Sequence, residues 1–118
     1  GSLIAITSAG LYRYPPGDIL SVAPKGAIEA LVRGLAREEG RFGVRANCVA
    51  LGVIDAGMFL RLKDEVFDET WLNAAKQNTP LRRFGTAKEV ADSVTFLASN
   101  QAGFITGQTL MLDGGYSI

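Results

Sequence analysis

Histidine is missing from the chain altogether, and cysteine occurs once, as Cys48. The first absence excludes Ser–His–Asp and Cys–His catalysis, histidine general bases and most transition-metal sites. The second excludes an internal disulfide and a zinc cluster, and it fits a reducing, cytoplasmic compartment. No uninterrupted apolar run is long enough to cross a bilayer, and no signal peptide is evident, so no membrane partner is expected. Lys and Arg form no stripe, and 12 basic residues balance 12 acidic ones. That balance argues against nucleic acid or an anionic membrane surface as a partner. Internal repeats and low-complexity tracts are also lacking, and the opening Gly1-Ser2 is given no function.

What remains is a chain of 118 residues, 47% hydrophobic and 20% charged, the composition of one globular domain over 1–118. SLIAIT (2–7) is an apolar run of buried-strand type that runs into Thr7-Ser8-Ala9-Gly10. Residues 11–18 carry two prolines and a glycine and read as loop. From Ser21 to Glu39, Ile28, Leu31, Val32 and Leu35 recur at helical spacing, and Gly40 and Gly43 follow as stops. VRANCVAL (44–51) is a second strand, closed by Gly52. A helical insert follows, with Val66, Phe67, Thr70, Trp71 and Ala74 on one face, ending near Thr79-Pro80. Thr86 and Glu89 form a capping box for a further helix, and QTLMLD (108–113) is a third strand before the Gly114-Gly115 turn. The alternation predicts an α/β fold: a parallel sheet of about three strands, right-handed crossovers and flanking helices. A sheet so small leaves an edge that another copy of the chain, or more polypeptide, should cover.

The segment PLRRFGTAKEVADSVTFLASNQAGFITGQTLMLDGGYSI (80–118), with the strand–loop serine at Ser8 and the lysine at Lys25, resembles the C-terminal half of a short-chain dehydrogenase/reductase. Within that family it is similar to the 3-oxoacyl-carrier-protein reductase and glucose dehydrogenase group, and the resemblance covers residues 2–118. It implies a partial Rossmann-type sheet in which the insert forms a lid over the substrate. It also implies carbonyl/alcohol interconversion on a small substrate with NAD or NADP, and a homo-oligomer held by the long helix and the last helix and strand. The family's serine falls on Ser8, as the substrate-polarising hydroxyl. Its Y-x-x-x-K motif falls on Ser21 to Lys25, and its P-G-x-[IV]-x-T on Leu51-Gly52-Val53-Ile54-Asp55-Ala56. Lys25 is thereby implied to contact the ribose and activate the tyrosine, and Gly52, Val53 and Ile54 to sit on the nicotinamide side.

The departures bear on activity. Ser21 stands where a tyrosine is expected, Leu51 replaces the proline and Ala56 the threonine. The N-terminal, cofactor-binding half of such an enzyme is expected to lie outside these residues, because no G-x-x-x-G-x-G follows a first strand and no mid-sheet asparagine motif occurs. In the family a phenol, its pKa of about 10 lowered by the nearby ammonium, protonates the carbonyl oxygen as hydride arrives. Serine is a far weaker acid with a shorter reach, and loss of a general acid costs about 10²–10⁴-fold in rate. The expectation is therefore an inactive isolated chain with vestigial cofactor contacts. The alternative is a catalytically dead module that self-associates through Gly26, Ala27, Ala30 and Gly34.

Each candidate also has a plainer role. Ser21 reads as a helix N-cap with Pro24 in the first turn and Lys25 beside it. Ser8 can bond its own backbone at a loop start. Tyr12 and Tyr14 are loop tyrosines given to surface packing, and neither can pair with Lys25 through helical geometry. Asp64, Glu65, Asp68 and Glu69 read as the solvated face of the insert helix rather than a cation site, so no metal is expected. Met58, Phe59, Leu60 and Leu62 read as core or interface.

Overall fold

The computed structural model describes residues 1–57 and 68–118. Asp64, Glu65, Val66, Phe67 and the Met58–Leu62 apolar group lie outside the described residues. Strand β1 (Ser2–Ser8) leads through a single 3₁₀ turn (Ala9–Tyr12) to the long helix α1 (Ile19–Glu39). A second 3₁₀ turn, closed by Gly43 at φ 78°, returns the chain to β2 (Arg45–Leu51). Helices α2 (Glu69–Gln77) and α3 (Ala87–Ala98) follow, and β3 (Thr109–Leu112) completes the sheet.

The three strands are all parallel in the order β1-β2-β3, with Ser8, Leu51 and Leu112 level across the carboxyl edge. β2 is the centre. Ala46, Asn47, Cys48, Val49 and Ala50 are each 0–1% exposed, because α1 covers one face of the sheet and α3 the other. On the α1 side Ala46 and Cys48 meet Val32 and Ala36. On the α3 side Val49 meets Leu97 and Ala102, with Ile4, Leu51, Val94, Ile105 and Leu112 around them. SLIAIT, read from the sequence as a buried strand, is instead the edge strand β1, with Leu3 44% and Ile6 41% exposed. The strand buried on both faces is β2, because only the central strand has a neighbour on each side and a helix on each face.

Two polar residues of β2 anchor the approach to β3. The Arg45 guanidinium donates to the carbonyls of Leu97 (2.8 Å), Ser99 (3.1 Å) and Ile105 (3.4 Å). A cation there also complements the negative end of α3. Asn47, fully buried, donates to Ile105 O and accepts from the Gln108 N–H. A buried amide is tolerated because both of its ends are satisfied.

α1 departs from the sequence reading at its start and on its faces. It begins at Ile19 with Asp18 at the cap position, so Ser21 lies in the first turn and is not the N-cap. The N–H groups of Ser21 and Val22 both return to the Asp18 carbonyl. Pro24 consequently falls in the second turn, where it removes the bond to the Leu20 carbonyl. Leu20 is 89% exposed, a place where water can serve that oxygen. Lys25 moves beyond the first turn, out of reach of the unfavourable helix N-terminus. The buried stripe is Val22, Glu29, Val32 and Ala36, whereas Leu31, one of the apolar residues at helical spacing, is 61% exposed.

The capping box of α3 forms as its sequence predicts: Thr86 Oγ1 accepts from the Glu89 N–H, and Glu89 Oε1 accepts from the Thr86 N–H. Arg83 adds a bidentate pair to Glu89 at 2.8 and 2.9 Å. First the Arg83 hydrogen bonds and then those of Thr86 lower the Glu89 pKa from 4.5 to about 2. Asp68 caps α2 in the same manner, accepting from the Trp71 N–H at 2.8 Å. Among the described residues no helix is long and apolar enough to cross a membrane, and no group of His, Cys, Asp and Glu could hold a metal.

Because the folded pKa of Glu89 lies below its unfolded value, its contribution to stability is present above about pH 4.5 and fades as pH falls towards 2. Glu89→Gln should therefore lower the Tm by a few degrees at pH 7 in a calorimetric scan. The gap to the parent chain should close across that acid window; a gap that persists at pH 2 would refute the linkage.

Candidate functional site at the carboxyl edge of the sheet

Where the strands end, a cavity of about 140 Å³ opens against Ser8, Ala9, Gly10, Asp18, Gly52, Val53 and the C-terminal Tyr116. This is where open parallel α/β sheets bind ligands. A larger cleft of about 490 Å³ adjoins it at Val53, between the Thr79–Leu81 segment and Asp113-Gly114-Gly115.

Ser8 ends β1 at the rim of the smaller cavity. Its hydroxyl oxygen accepts from the Gly10 N–H at 3.0 Å, which caps the 3₁₀ turn. The local backbone bond expected of a loop-start serine therefore forms. Since that bond uses the oxygen as acceptor, the Ser8 proton remains available to donate towards the cavity. Gly10 is confined by Ser8 Oγ, Asp18 Oδ2 and Val22 Cγ2, which a Cβ would meet at 3.2, 3.0 and 3.2 Å. The start of α1 is thus pressed against the turn that carries Ser8.

Gly52 and Val53 also line the cavity. The Gly52 N–H continues the sheet by donating to Leu112 O at 3.0 Å, and a Cβ on Gly52 would lie 2.8 Å from Asp113 Cα. Ile54 lines neither space and instead forms a bridge with Gly85, the Asp55 N–H donating to Gly85 O at 2.9 Å. Ser21 is exposed and Lys25 half-buried on α1; neither lines the cavity, and Lys25 has no acidic partner among the described residues. The Asp113-Gly114-Gly115 turn is held by its aspartate, whose two oxygens accept from the Gly115 and Ser117 N–H groups at 2.9 Å each.

The tyrosines divide. Tyr14 is 64% exposed at φ 49°. Tyr12 departs from simple surface packing: its hydroxyl donates to Glu29 Oε1 at 2.7 Å, and burial first, then that bond, raises its pKa. Glu29 is 3% exposed and also accepts from Thr7 Oγ1 at 2.6 Å. Sequence inspection missed it, although a carboxylate in register with Val22, Val32 and Ala36 was visible as a charge on an apolar stripe. Asp18 and Tyr116 were missed too. Asp before a helical run is a cap signal, but nothing local announces that the chain terminus folds back, with Arg13 donating to Tyr116 O at 2.7 Å.

A parallel sheet flanked by helices, with a small cavity at its carboxyl edge, is a Rossmann-type α/β unit. Residues 1–117 match the family model described as enoyl-(acyl carrier protein) reductase. A 3-oxoacyl-[acyl-carrier-protein] reductase of Chlamydia muridarum is 40% identical over 115 residues, which are 98% of this chain and 44% of that protein. Among solved structures, a blue fluorescent protein from a metagenomic library, in complex with NADPH, superimposes with a TM-score of 0.88 at 32% identity, over all of this chain and 46% of that one. A 4-hydroxyisoleucine dehydrogenase complexed with NADH gives 0.89 at 30% identity, over 99% and 47%. The chain belongs to the short-chain dehydrogenase/reductase family, and it spans less than half the length of these relatives.

Packing alone demands glycine at position 52. Gly52→Ala should cost about 1–3 kcal/mol, as overpacking does, read from urea unfolding. An unchanged midpoint would mean that the end of β3 gives way freely.

Proposed function

We propose that this chain is the C-terminal half of an NAD(P)-dependent oxidoreductase that interconverts carbonyl and alcohol groups, and that it is inactive by itself. The observation that carries the reading is the Ser8 hydroxyl at the cavity rim: it is fixed as an acceptor by Gly10 and has a proton left to donate. A substrate carbonyl oxygen placed there would receive that hydrogen bond, which favours negative charge on the oxygen.

The residues present fit one end of a nicotinamide dinucleotide and not the other. Gly52 and Val53 wall the small cavity, whereas Lys25, a half-buried residue one helical turn after Ser21, does not line it. When bound, the nicotinamide supplies or accepts the hydride. The cavity at Ser8, about 140 Å³, is by itself well below the roughly 300–1,000 Å³ of a complete small-molecule site, and the cleft of about 490 Å³ that adjoins it at Val53 is lined by neither Ser8 nor Gly52. Nor does a pyrophosphate fit the described helix starts, since α1 begins at Asp18, α2 is capped by Asp68 and α3 by Thr86 with Glu89. An anion there would meet carboxylates and N–H groups already engaged. The dinucleotide thus calls for polypeptide beyond these residues, and the step of proton donation calls for an acid stronger than Ser21.

A second reading, a self-associating module without activity, is favoured by one surface. Leu20, Pro24, Ala27, Leu31 and Gly34 form an exposed stripe along α1, opposite its buried face. That stripe is where a second copy would pack, whether as a module or as the oligomer contact of an enzyme.

Calorimetry on the 118-residue chain should detect no micromolar NADPH binding, and tight binding would refute the half-site description. In the polypeptide completed by the coding sequence upstream of Leu3, Ser21→Tyr should raise NADPH-dependent reduction of a 3-oxoacyl thioester by about 10²–10⁴-fold. No gain would discard Ser21 as the vacated acid position. Leu31→Glu should shift a sedimenting dimer to monomer, whereas a parent chain already monomeric at micromolar concentration would remove the self-association reading.

A further inference from the structure

We infer that Glu29 is a positioning residue for Ser8, fixing the turn that presents its hydroxyl to the cavity. The inference rests on the oxidoreductase reading for its meaning, but its geometry stands apart from it.

Glu29 sits midway along α1, on the face against the sheet, and is 3% exposed. Burying a carboxylate costs several kcal/mol unless hydrogen bonds compensate, and an apolar residue of similar size would pack there without that cost. Here the compensation is specific. Thr7 Oγ1 donates to Oε2 at 2.6 Å, Tyr12 Oη donates to Oε1 at 2.7 Å, and Thr109 Oγ1 approaches Oε1 at 3.5 Å. Arg33 stands at 4.0 Å on the solvent side. The two short bonds are charge-assisted and so the strong ones.

Their placement along the chain matters more than their number. Thr7 immediately precedes Ser8, and Tyr12 is the last residue of the 3₁₀ turn that Ser8 caps. One carboxylate therefore holds the chain on both sides of Ser8, from an element that packs rigidly on β1 and β2. Inside that clamp, the Gly10 N–H meets Ser8 Oγ, and the Gly10 carbonyl receives the Arg13 and Tyr14 N–H groups at 3.3 and 2.7 Å. If the clamp opens, the turn is free to leave the arrangement in which Ser8 lines the cavity with its oxygen held by the Gly10 N–H. Thr109 brings β3 to the same carboxylate, so the two outer strands and the turn after β1 meet on one side chain while β2 makes no hydrogen bond to it.

Amide hydrogen exchange of the folded 118-residue chain, resolved by NMR, separates positioning from general stability. With Glu29→Gln, an amide that can accept but carries no charge, the Gly10 and Tyr14 N–H groups should exchange at least tenfold faster. Val49 N–H in the core should stay within about twofold, because β2 does not depend on the clamp. Tyr12→Phe, which keeps the ring and the carboxylate, should give a smaller increase confined to the same two amides, and it decides the matter if Glu29→Gln fails to fold. Adding Tyr12→Phe to Glu29→Gln should change nothing further. Unchanged Gly10 exchange, or a parallel rise at Gly10 and Val49, would overturn the proposal. No cofactor or substrate enters this measurement, so a failure of the oxidoreductase reading in the thioester assay would be seen separately.

Discussion

β2 is enclosed on both faces, and the position of nearly every other element follows from that enclosure. A parallel strand cannot turn straight back on its neighbour; it needs a crossover, and the crossovers here are α1 on one face and the α2–α3 region on the other. Small residues make the enclosure close: Ala46, Cys48 and Ala50 point to α1, so a helix can lie near the sheet without large side chains between. The carboxyl ends of the strands are thereby brought level, and Ser8, Leu51 and Leu112 share one edge.

Against that apolar packing, the polar residues inside serve location rather than bulk stability. Arg45 and Asn47 pin the connection into β3, and Glu29 pins the turn after β1. Each is satisfied by more than one partner, and no buried side-chain polar atom among the described residues is left without one. Such groups stabilise little compared with hydrophobic replacements, but they penalise any other arrangement through the groups that would be orphaned. The site is accordingly built at the places where this fold is most specified.

α1 is the element on which the proposed function turns. The helix that carries Lys25 is intact, yet position 21 is a solvent-exposed serine in the first turn. A serine there is compatible with the scaffold because it faces solvent. The cap position is Asp18, whose side chain makes no capping hydrogen bond, whose carbonyl starts the helical ladder by taking the Ser21 and Val22 N–H groups, and whose carboxylate faces Gly10. On the proposed function, a serine in place of a phenol at position 21 would leave folding untouched while withholding a proton donor, as holds when functional groups are grafted on a fold rather than part of its core.

Much of this was legible in the chain. Strand runs, the T-x-x-E box at Thr86 and the Asp-Gly-Gly turn are local patterns whose physics is complete within a few residues, and all three formed where they were read. The start of α1 was misplaced because Ser21 and Asp18 are both acceptable caps, and only the packing of Val22 against Gly10 decides between them. The apolar spacing of Ile28, Leu31, Val32 and Leu35 showed a helix but not which of them it buries, since spacing alone cannot tell a buried stripe from an exposed one. The sequence by itself determined the parallel α/β class and the presence of Ser8, Lys25 and Gly52 at the right separations. Tertiary structure alone decided that Ser8 reaches a cavity while Ser21 does not, and that Glu29, 22 residues from Thr7 and 17 from Tyr12, binds both. Hydrogen bonds across such separations depend on how a helix is rotated over a sheet, and no local propensity encodes that rotation.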